Sequence, residues 1–174
     1  MEIIIIVAYS KNRVIGRQNT IPWHLIGDMK HFKQTTINNQ IIMGRKTWES
    51  LKIKPLPNRK NIIITNNTSL TFKDGVAAYS LYDAIQKCST KQKVFIIGGE
   101  QLYKQFMPLS STIIATEIHN EFQGDAFFPK INKKLWIEEK RDHQLPENGL
   151  KYDFVIYKKI ARGLLWNNYF KQSI

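Results

Sequence analysis

Within PWHLIGDMKHF (residues 22–32), Asp28 is the one acid among apolar residues, Leu25, Met29 and Phe32, that recur at spacings of four and three. That spacing predicts the opening turns of an amphipathic helix. It sets Asp28 beside or on the apolar face. Such a carboxylate has two readings. It can be a first-turn acid favoured by the helix dipole, or an N-cap for the segment after Gly27. It can also be an acid held in an apolar pocket, where ionisation is costly unless the group is protonated or paired with a donor.

Three further stretches carry groups suited to an anion. VFIIGGEQLYKQF (94–106) reads as a buried strand, a Gly98–Gly99 turn and a helix opening near Glu100. Free N–H groups at a helix N-terminus, approached closely through glycines, form a phosphate-binding arrangement. A simple tight turn would use the same pair, which does not match the dinucleotide fingerprint GxGxxG. IIMGRKTWESL (41–51) repeats the pattern with Gly44, then Arg45, Lys46 and Thr47. Cations oppose the positive end of a helix, so an anion there would repair the electrostatics; two solvated side chains on a surface turn are the alternative. NIIITNN (61–67) ends a third strand with Thr65 and Asn66, both hydrogen-bond donors. Three such ends suggest a dinucleotide laid across the carboxyl edge of an α/β sheet.

The elements that would hold these groups follow from the apolar runs. Strands are expected at 3–10, 40–44, 61–65, 93–99 and 111–118, with helices at 25–35, 45–51, 81–88 and 100–107. Near-continuous apolar strands alternating with helices argue for a mainly parallel sheet covered on both faces. LWIEEKRDHQ and LKYDFVIYKKI, separated by LPENG, read as an antiparallel hairpin with a wide connection. The organisation expected is one domain over residues 1–160, followed by a tail at 161–174 of unread role.

Composition narrows the classes. The chain has 174 residues, enough for a real core, and one cysteine, Cys88, so neither an internal disulfide nor a cysteine-rich zinc site is available. The opening MEIIIIVAYS carries an acid at position 2 and too short an apolar run for a signal peptide or a membrane span. A soluble cytoplasmic protein is the expectation, with no metal and no membrane partner. The formal charge of +12 is concentrated toward the two ends of the chain. It could mean nucleic acid, an anionic surface or polyanionic small ligands. No zinc finger, recognition helix or aromatic-basic platform accompanies it.

The order and spacing of NRVIGRQNTIPWHL, GDMKHFKQTT, IIMGRKTWESL, PLPNRKNIIIT, VFIIGGEQLYKQF and GDAFFP closely resemble bacterial dihydrofolate reductase, from residue 2 to about 160. The resemblance implies a three-layer α/β fold with a mostly parallel eight-stranded sheet, one antiparallel C-terminal strand and about four helices. It implies NADPH-dependent reduction of 7,8-dihydrofolate to 5,6,7,8-tetrahydrofolate. Asp28 would receive the pterin 2-amino group and N3, and Thr116 would steady it. Ile6, Val7, Ala8, Met29, Phe32, Leu51, Leu56 and Ile97 would enclose the pterin and aminobenzoyl rings. Arg59 would take the α-carboxylate of the glutamate tail, with Lys33 and either Lys52 or Lys54 at the rim.

For the cofactor, the resemblance implies Ala8, Ile15, Gly16, Asn19 and Ile21 near the nicotinamide. Residues 16–21 would form a mobile loop with Trp23 at its base, Ile21 and Trp23 completing the catalytic set. Gly44, Arg45, Lys46, Thr47, Thr65 and Asn66 would line the phosphates and adenosine. Ile97, Gly98, Gly99, Glu100, Gln101, Leu102 and Tyr103 would complete the cradle, with a cis Gly98–Gly99 bond. Two positions depart from the common pattern. Gln101 stands where an arginine is frequent, and Asn66 where a serine or threonine is usual. Diaminopyrimidine and pteridine antifolates are the implied inhibitors and a monomer the implied state. Two rivals are a riboflavin-pathway pyrimidine reductase of the same fold and a basic nucleic-acid-binding protein, the latter without support beyond charge.

Overall fold

The computed structural model describes residues 1–160, so the tail expected at 161–174 lies outside the described residues. The first strand, β1 (Ile3–Ser10), leads through a short β2 (Val14–Gly16) into helix α1 (Ile26–Thr36). Then come β3 (Gln40–Gly44), α2 (Arg45–Ser50), β4 (Lys60–Ile64), β5 (Val76–Ala78) and α3 (Leu81–Gln86). The chain continues with β6 (Val94–Ile96), α4 (Glu100–Phe106), β7 (Thr112–Ile118) and β8 (Ala126–Phe127). It closes with β9 (Trp136–His143) and β10 (Tyr152–Lys159).

Eight of these strands form one sheet in the order β5-β4-β3-β6-β1-β7-β10-β9. Every neighbour from β5 to β7 is parallel, and β10 alone runs antiparallel to both its neighbours. The mostly parallel sheet with one antiparallel C-terminal strand is therefore as expected. The continuous apolar runs serve two cores. Ile4, Ile6, Ile41, Met43 and Ile63 pack on one face, while Ile5, Val7, Ile42, Ile62 and Ile96 pack on the other. Alternation along each strand is what divides them.

Some elements differ from expectation. Strand β6 ends at Ile96, because the backbone turns away into the glycine pair after a last bond from Ile97 N to Ile42 O. Helix α3 ends at Gln86, earlier than expected, and is capped at its start by Ser80, whose hydroxyl accepts from Asp83 N. The short β5 and the two-stranded β2–β8 ribbon carry too few residues for a period to show.

At the β7–β10–β9 junction a polar cluster is built into the sheet. The buried Asp153 carboxylate accepts from Arg141 at 2.8 Å and bonds His143 and His119 at 2.8 and 3.1 Å. Glu117 accepts from Tyr9, Tyr157 and Arg141. Burial alone would push the Asp153 carboxyl up, but Arg141 and the two histidines pull it down to about 2.

Candidate active site

Asp28 sits in the first turn of α1, and its Oδ1 accepts a 2.6 Å hydrogen bond from the hydroxyl of buried Thr116 on β7. Desolvation raises its pKa, the Thr116 bond lowers it, and the charge of Glu147 raises it further. Both sequence readings of Asp28 thus meet the same fact. It is a first-turn acid, yet it does not cap the helix. That role belongs to Glu147, in the β9–β10 connection, whose carboxylate accepts from Ile26 N and, at 3.0 Å, from Gly27 N. The absent side chain of Gly27 admits Tyr152, since a Cβ there would lie 2.2 Å from the Tyr152 hydroxyl oxygen.

The apolar residues expected at the site come together in part. Ile6, Phe32, Leu51, Leu56 and Ile97 belong to one apolar cluster. Ala8 is paired with Thr116 across β1 and β7, one strand from Asp28. Met29 lies at the open side of α1, 58% exposed. Val7 differs: its side chain packs in the opposite core, so it can offer a pocket on the other face only its backbone.

Arg59 is held by three contacts. Its Nε donates to Pro57 O, one terminal nitrogen donates to Thr36 Oγ1 at 2.9 Å, and its guanidinium lies over the Phe32 ring. Partial burial lowers its pKa, yet a guanidinium remains charged at any working pH. The other terminal nitrogen has no partner among the described residues, and can face an anion. Lys33 and Lys52 are exposed near this end, whereas Lys54 donates to Glu49 O.

The ends of β3 and β6 meet. Gly44 N donates to Gly98 O at 2.8 Å, and the Gly98–Gly99 peptide is cis. Gly98 has φ of 117°, in the region that favours glycine, and an added Cβ would lie 3.2 Å from the Tyr103 hydroxyl oxygen. Tyr103 and Leu102 are buried beneath this turn, and the Tyr103 hydroxyl donates to Ile6 O. They support the backbone from within the core. Thr47 approaches from the start of α2, its Oγ1 lying 3.6 Å from where a Gly99 Cβ would be.

The first turn of α2 holds no acid, and Arg45 pairs with Glu49 at 2.6 Å while Lys46 is exposed. Thr65 is buried and its Oγ1 accepts from Asn67 N, leaving the hydroxyl proton available; Asn66 and Gln101 are exposed beside this edge. Glu100 faces elsewhere, accepting from Lys104 and from Phe127 N. Its carboxylate ties α4 to β8. The close backbone turn, the acid-free helix start and the adjacent cations fit a phosphorylated nucleotide.

Residues 16–21 form a turn closed by hydrogen bonds. Arg17 and Thr20 exchange backbone bonds of 2.9 Å, with Gln18 and Asn19 at positive φ. Asp125 fastens the turn from the β8 side, accepting from Gln18 N and donating its own N–H to Gly16 O. Ile15 packs on the core and Ile21 is 65% exposed. Trp23 lies edge-on to Phe122, and its buried Nε1 has no partner among the described residues. A buried donor without a partner is costly, which marks this corner as a place for a polar ligand atom or water.

Sequence reasoning missed Glu147 and Asp125. No local signal distinguishes Glu147 in the PENG turn from any loop acid, because the groups it caps lie about 120 residues away. The acid in GDAFFP was visible, but its partner loop was not.

A desolvated carboxylate held by a buried threonine, with glycine turns and cations at the ends of parallel strands, is an arrangement suited to a nucleotide-dependent α/β enzyme. The family model described as Dihydrofolate reductase matches residues 2–159, and the chain belongs to that family. Dihydrofolate reductase of Buchnera aphidicola from Acyrthosiphon pisum is 47% identical over 162 residues, covering 91% of this chain and 100% of the relative. That of Staphylococcus haemolyticus is 41% identical over 162 residues, covering 92% and 97%. The solved Enterococcus faecalis dihydrofolate reductase, complexed with NADP(H) and RAB-propyl, matches with a TM-score of 0.86 at 29% identity, covering 92% of this chain and 97% of that one. Among the described residues no helix is long and apolar enough to cross a membrane.

Proposed function

We propose that this chain performs its family's reaction, the reduction of 7,8-dihydrofolate to 5,6,7,8-tetrahydrofolate with NADPH, and that Asp28 with Thr116 is the pair that anchors the pterin. The observation that carries this reading is the 2.6 Å bond between a buried threonine and a desolvated carboxylate that needs further donors. A 2-amino-4-oxopteridine presents two adjacent donors on one edge, which compensates such a carboxylate. The same pair favours a folate over the pyrimidine of the riboflavin-pathway alternative.

Gly44, Arg45, Lys46, Thr47, Thr65, Gly98 and Gly99 would hold NADPH, which supplies the hydride received at pterin C6 when bound. The chain's own work is alignment and electrostatics. Asp28 accepts the pterin donors, and its negative charge favours a proton on N5. Ile6, Phe32, Leu51, Leu56 and Ile97 exclude water from the rings. Arg59 takes the α-carboxylate of the glutamate tail. Trp23 offers its free Nε1–H at the pterin end, and the turn at 16–21 covers the nicotinamide side. The pocket is proposed to accept diaminopyrimidine and pteridine antifolates, and the protein to act as a cytoplasmic monomer. The support is that a diaminopyrimidine, once protonated, offers Asp28 the same donor pair.

The test is dihydrofolate-dependent loss of the reduced-nicotinamide absorbance, with Asp28→Asn in parallel. Turnover that needs dihydrofolate and falls at least ~10-fold in the variant is expected, since even ~1.4 kcal/mol of lost transition-state stabilisation costs that much. NADPH oxidation indifferent to dihydrofolate would overturn the reading.

A further inference from the structure

Two carboxylates compete for the N-terminus of α1, and the fold separates their tasks. Ile26 N and Gly27 N, the first orphan donors of the helix, are taken by Glu147 from a distant loop. Glu147 is itself held by a 3.4 Å bond from the Tyr152 hydroxyl. Next to it, Asn148 donates to His24 O at 2.8 Å, so the loop grips the chain just before the helix. Asp28 follows directly on these capped residues, yet its oxygen is bonded across to Thr116.

We propose that Glu147 is a positioning residue for the reaction: by occupying the helix N-terminus it leaves the Asp28 carboxylate to the pterin pocket and adds a negative charge behind it. The proposal rests on the assignment of Asp28 as the pterin anchor. If the N–H groups of Ile26 and Gly27 were free, they would stabilise an anion at the helix start and draw Asp28 toward its own backbone. With Glu147 in place, those donors are spent, and the field at the pocket becomes more favourable to a proton.

Of the charged groups around Asp28, Glu147 is the one that acts on it, raising its pKa, while His31, three residues on in α1, is held below its usual value by burial. From β7 comes the hydroxyl of Thr116, which does not titrate. From α4 comes Tyr103 and from β10 Tyr152, both phenols pushed upward by burial first and then by nearby carboxylates, so both stay neutral in the working range. His24 acts on Glu147 rather than on Asp28. The bonds from Gly27 and Ile26 lower the Glu147 pKa, so it is ionised wherever the enzyme works.

The direction of the effect does not depend on where the catalytic proton resides. Whether it sits on pterin N5 or on Asp28, removing a neighbouring negative charge makes it easier to lose.

The test is the pH profile of single-turnover hydride transfer from about pH 5 to pH 9, measured for wild type, Glu147→Gln, Glu147→Asp and Asp28→Asn. Glu147→Gln keeps an acceptor for one N–H but loses the charge. Its apparent pKa should fall by about 0.3–0.5 unit, with a ~2- to 3-fold slower rate above the midpoint. Glu147→Asp keeps the charge, and its profile should lie nearer wild type than that of Glu147→Gln. A Glu147→Gln profile superimposable on wild type, with only a lower melting temperature, would reduce Glu147 to a structural cap and overturn the proposal. If Asp28→Asn itself left the wild-type profile unchanged, the Asp28 assignment would fail, and this proposal with it. A profile altered in Asp28→Asn and unaltered in Glu147→Gln would fail this proposal alone.

Discussion

Asp28→Asn should make the ligand-free protein more stable while disabling it. The folded-state pKa of Asp28 is raised, mainly by desolvation. A group raised on folding contributes stability that is full below its unfolded pKa, about 3.9 for aspartate, and lost as pH rises through the folded value. At pH 7 the ionised carboxylate therefore opposes folding. A fully buried ion costs several kcal/mol after relaxation. Asp28 keeps some exposure and accepts the Thr116 bond, both of which reduce that penalty.

The amide removes the charge and its repulsion from Glu147, and still accepts from Thr116, though a neutral bond is weaker than a charge-assisted one by about 1 kcal/mol. Relief of the desolvated charge outweighs the weaker bond, and each ~1 kcal/mol gained raises the melting temperature of a domain of this size by about 2–4 °C. Calorimetry of both proteins without ligand, at pH 7 and at pH 3.5, measures it. The gain should shrink at the lower pH, where the wild-type carboxyl is neutral. Saturating dihydrofolate should reverse the order, because the wild type binds it more tightly. A variant less stable than wild type at pH 7, or a gain undiminished by acid, would refute the reasoning.

Arg59→Leu should weaken dihydrofolate binding by roughly 1.5–3 kcal/mol through loss of a charge-assisted contact, with NADPH affinity unchanged in direct titrations. Equal losses for both ligands would recast Arg59 as a structural residue that holds Thr36. Arg45→Ala should weaken NADPH more than NADH, which lacks the 2′-phosphate. An unchanged ratio of their dissociation constants would shift the phosphate contact to Lys46. Asp153 is held at about 2, so the stability it contributes is present above about pH 4 and lost as pH falls toward 2. Acid unfolding followed by circular dichroism should be shallower in Asp153→Asn. Gly27→Ala brings a Cβ to 2.2 Å from the Tyr152 hydroxyl oxygen, so it should cost about 1–3 kcal/mol in urea unfolding.

The parallel sheet was legible because fully buried strands must be apolar on both faces, and runs such as IIIIVAYS and QIIMG have no other economical place. The glycine turns at Gly44 and Gly98–Gly99 were legible as strand-end devices, though their mutual contact was not. The partnership of Asp28 with Thr116 spans 88 residues. Helical spacing found the acid, but its partner came only through the family resemblance. The facing of Val7 follows from strict alternation once β1 is fixed, and a pocket list copied along the chain overlooks it. Glu147 and Asp125 act through folded-state proximity, for which neither composition nor period carries a signal.

The insertion of β10 between β7 and β9 fixes the order in which a newly made chain can acquire its fold. The first strand emerges earliest, but it is flanked in the sheet by β6 and β7, whose paired residues follow about 90 and about 110 positions later. Meanwhile its run of isoleucines has no hydrogen-bonding edge of its own to join. The last interior strand, Tyr152–Lys159, arrives only when the described chain is nearly complete, and β9 can join the sheet only through it. Assembly is therefore dominated by distant pairings, which are slow to form and leave apolar segments open during translation. Truncation before residue 152 removes β10 and leaves β9 with no strand of the sheet to pair with, so such chains should be recovered in the insoluble fraction on expression, and a soluble, folded truncation would refute this reading.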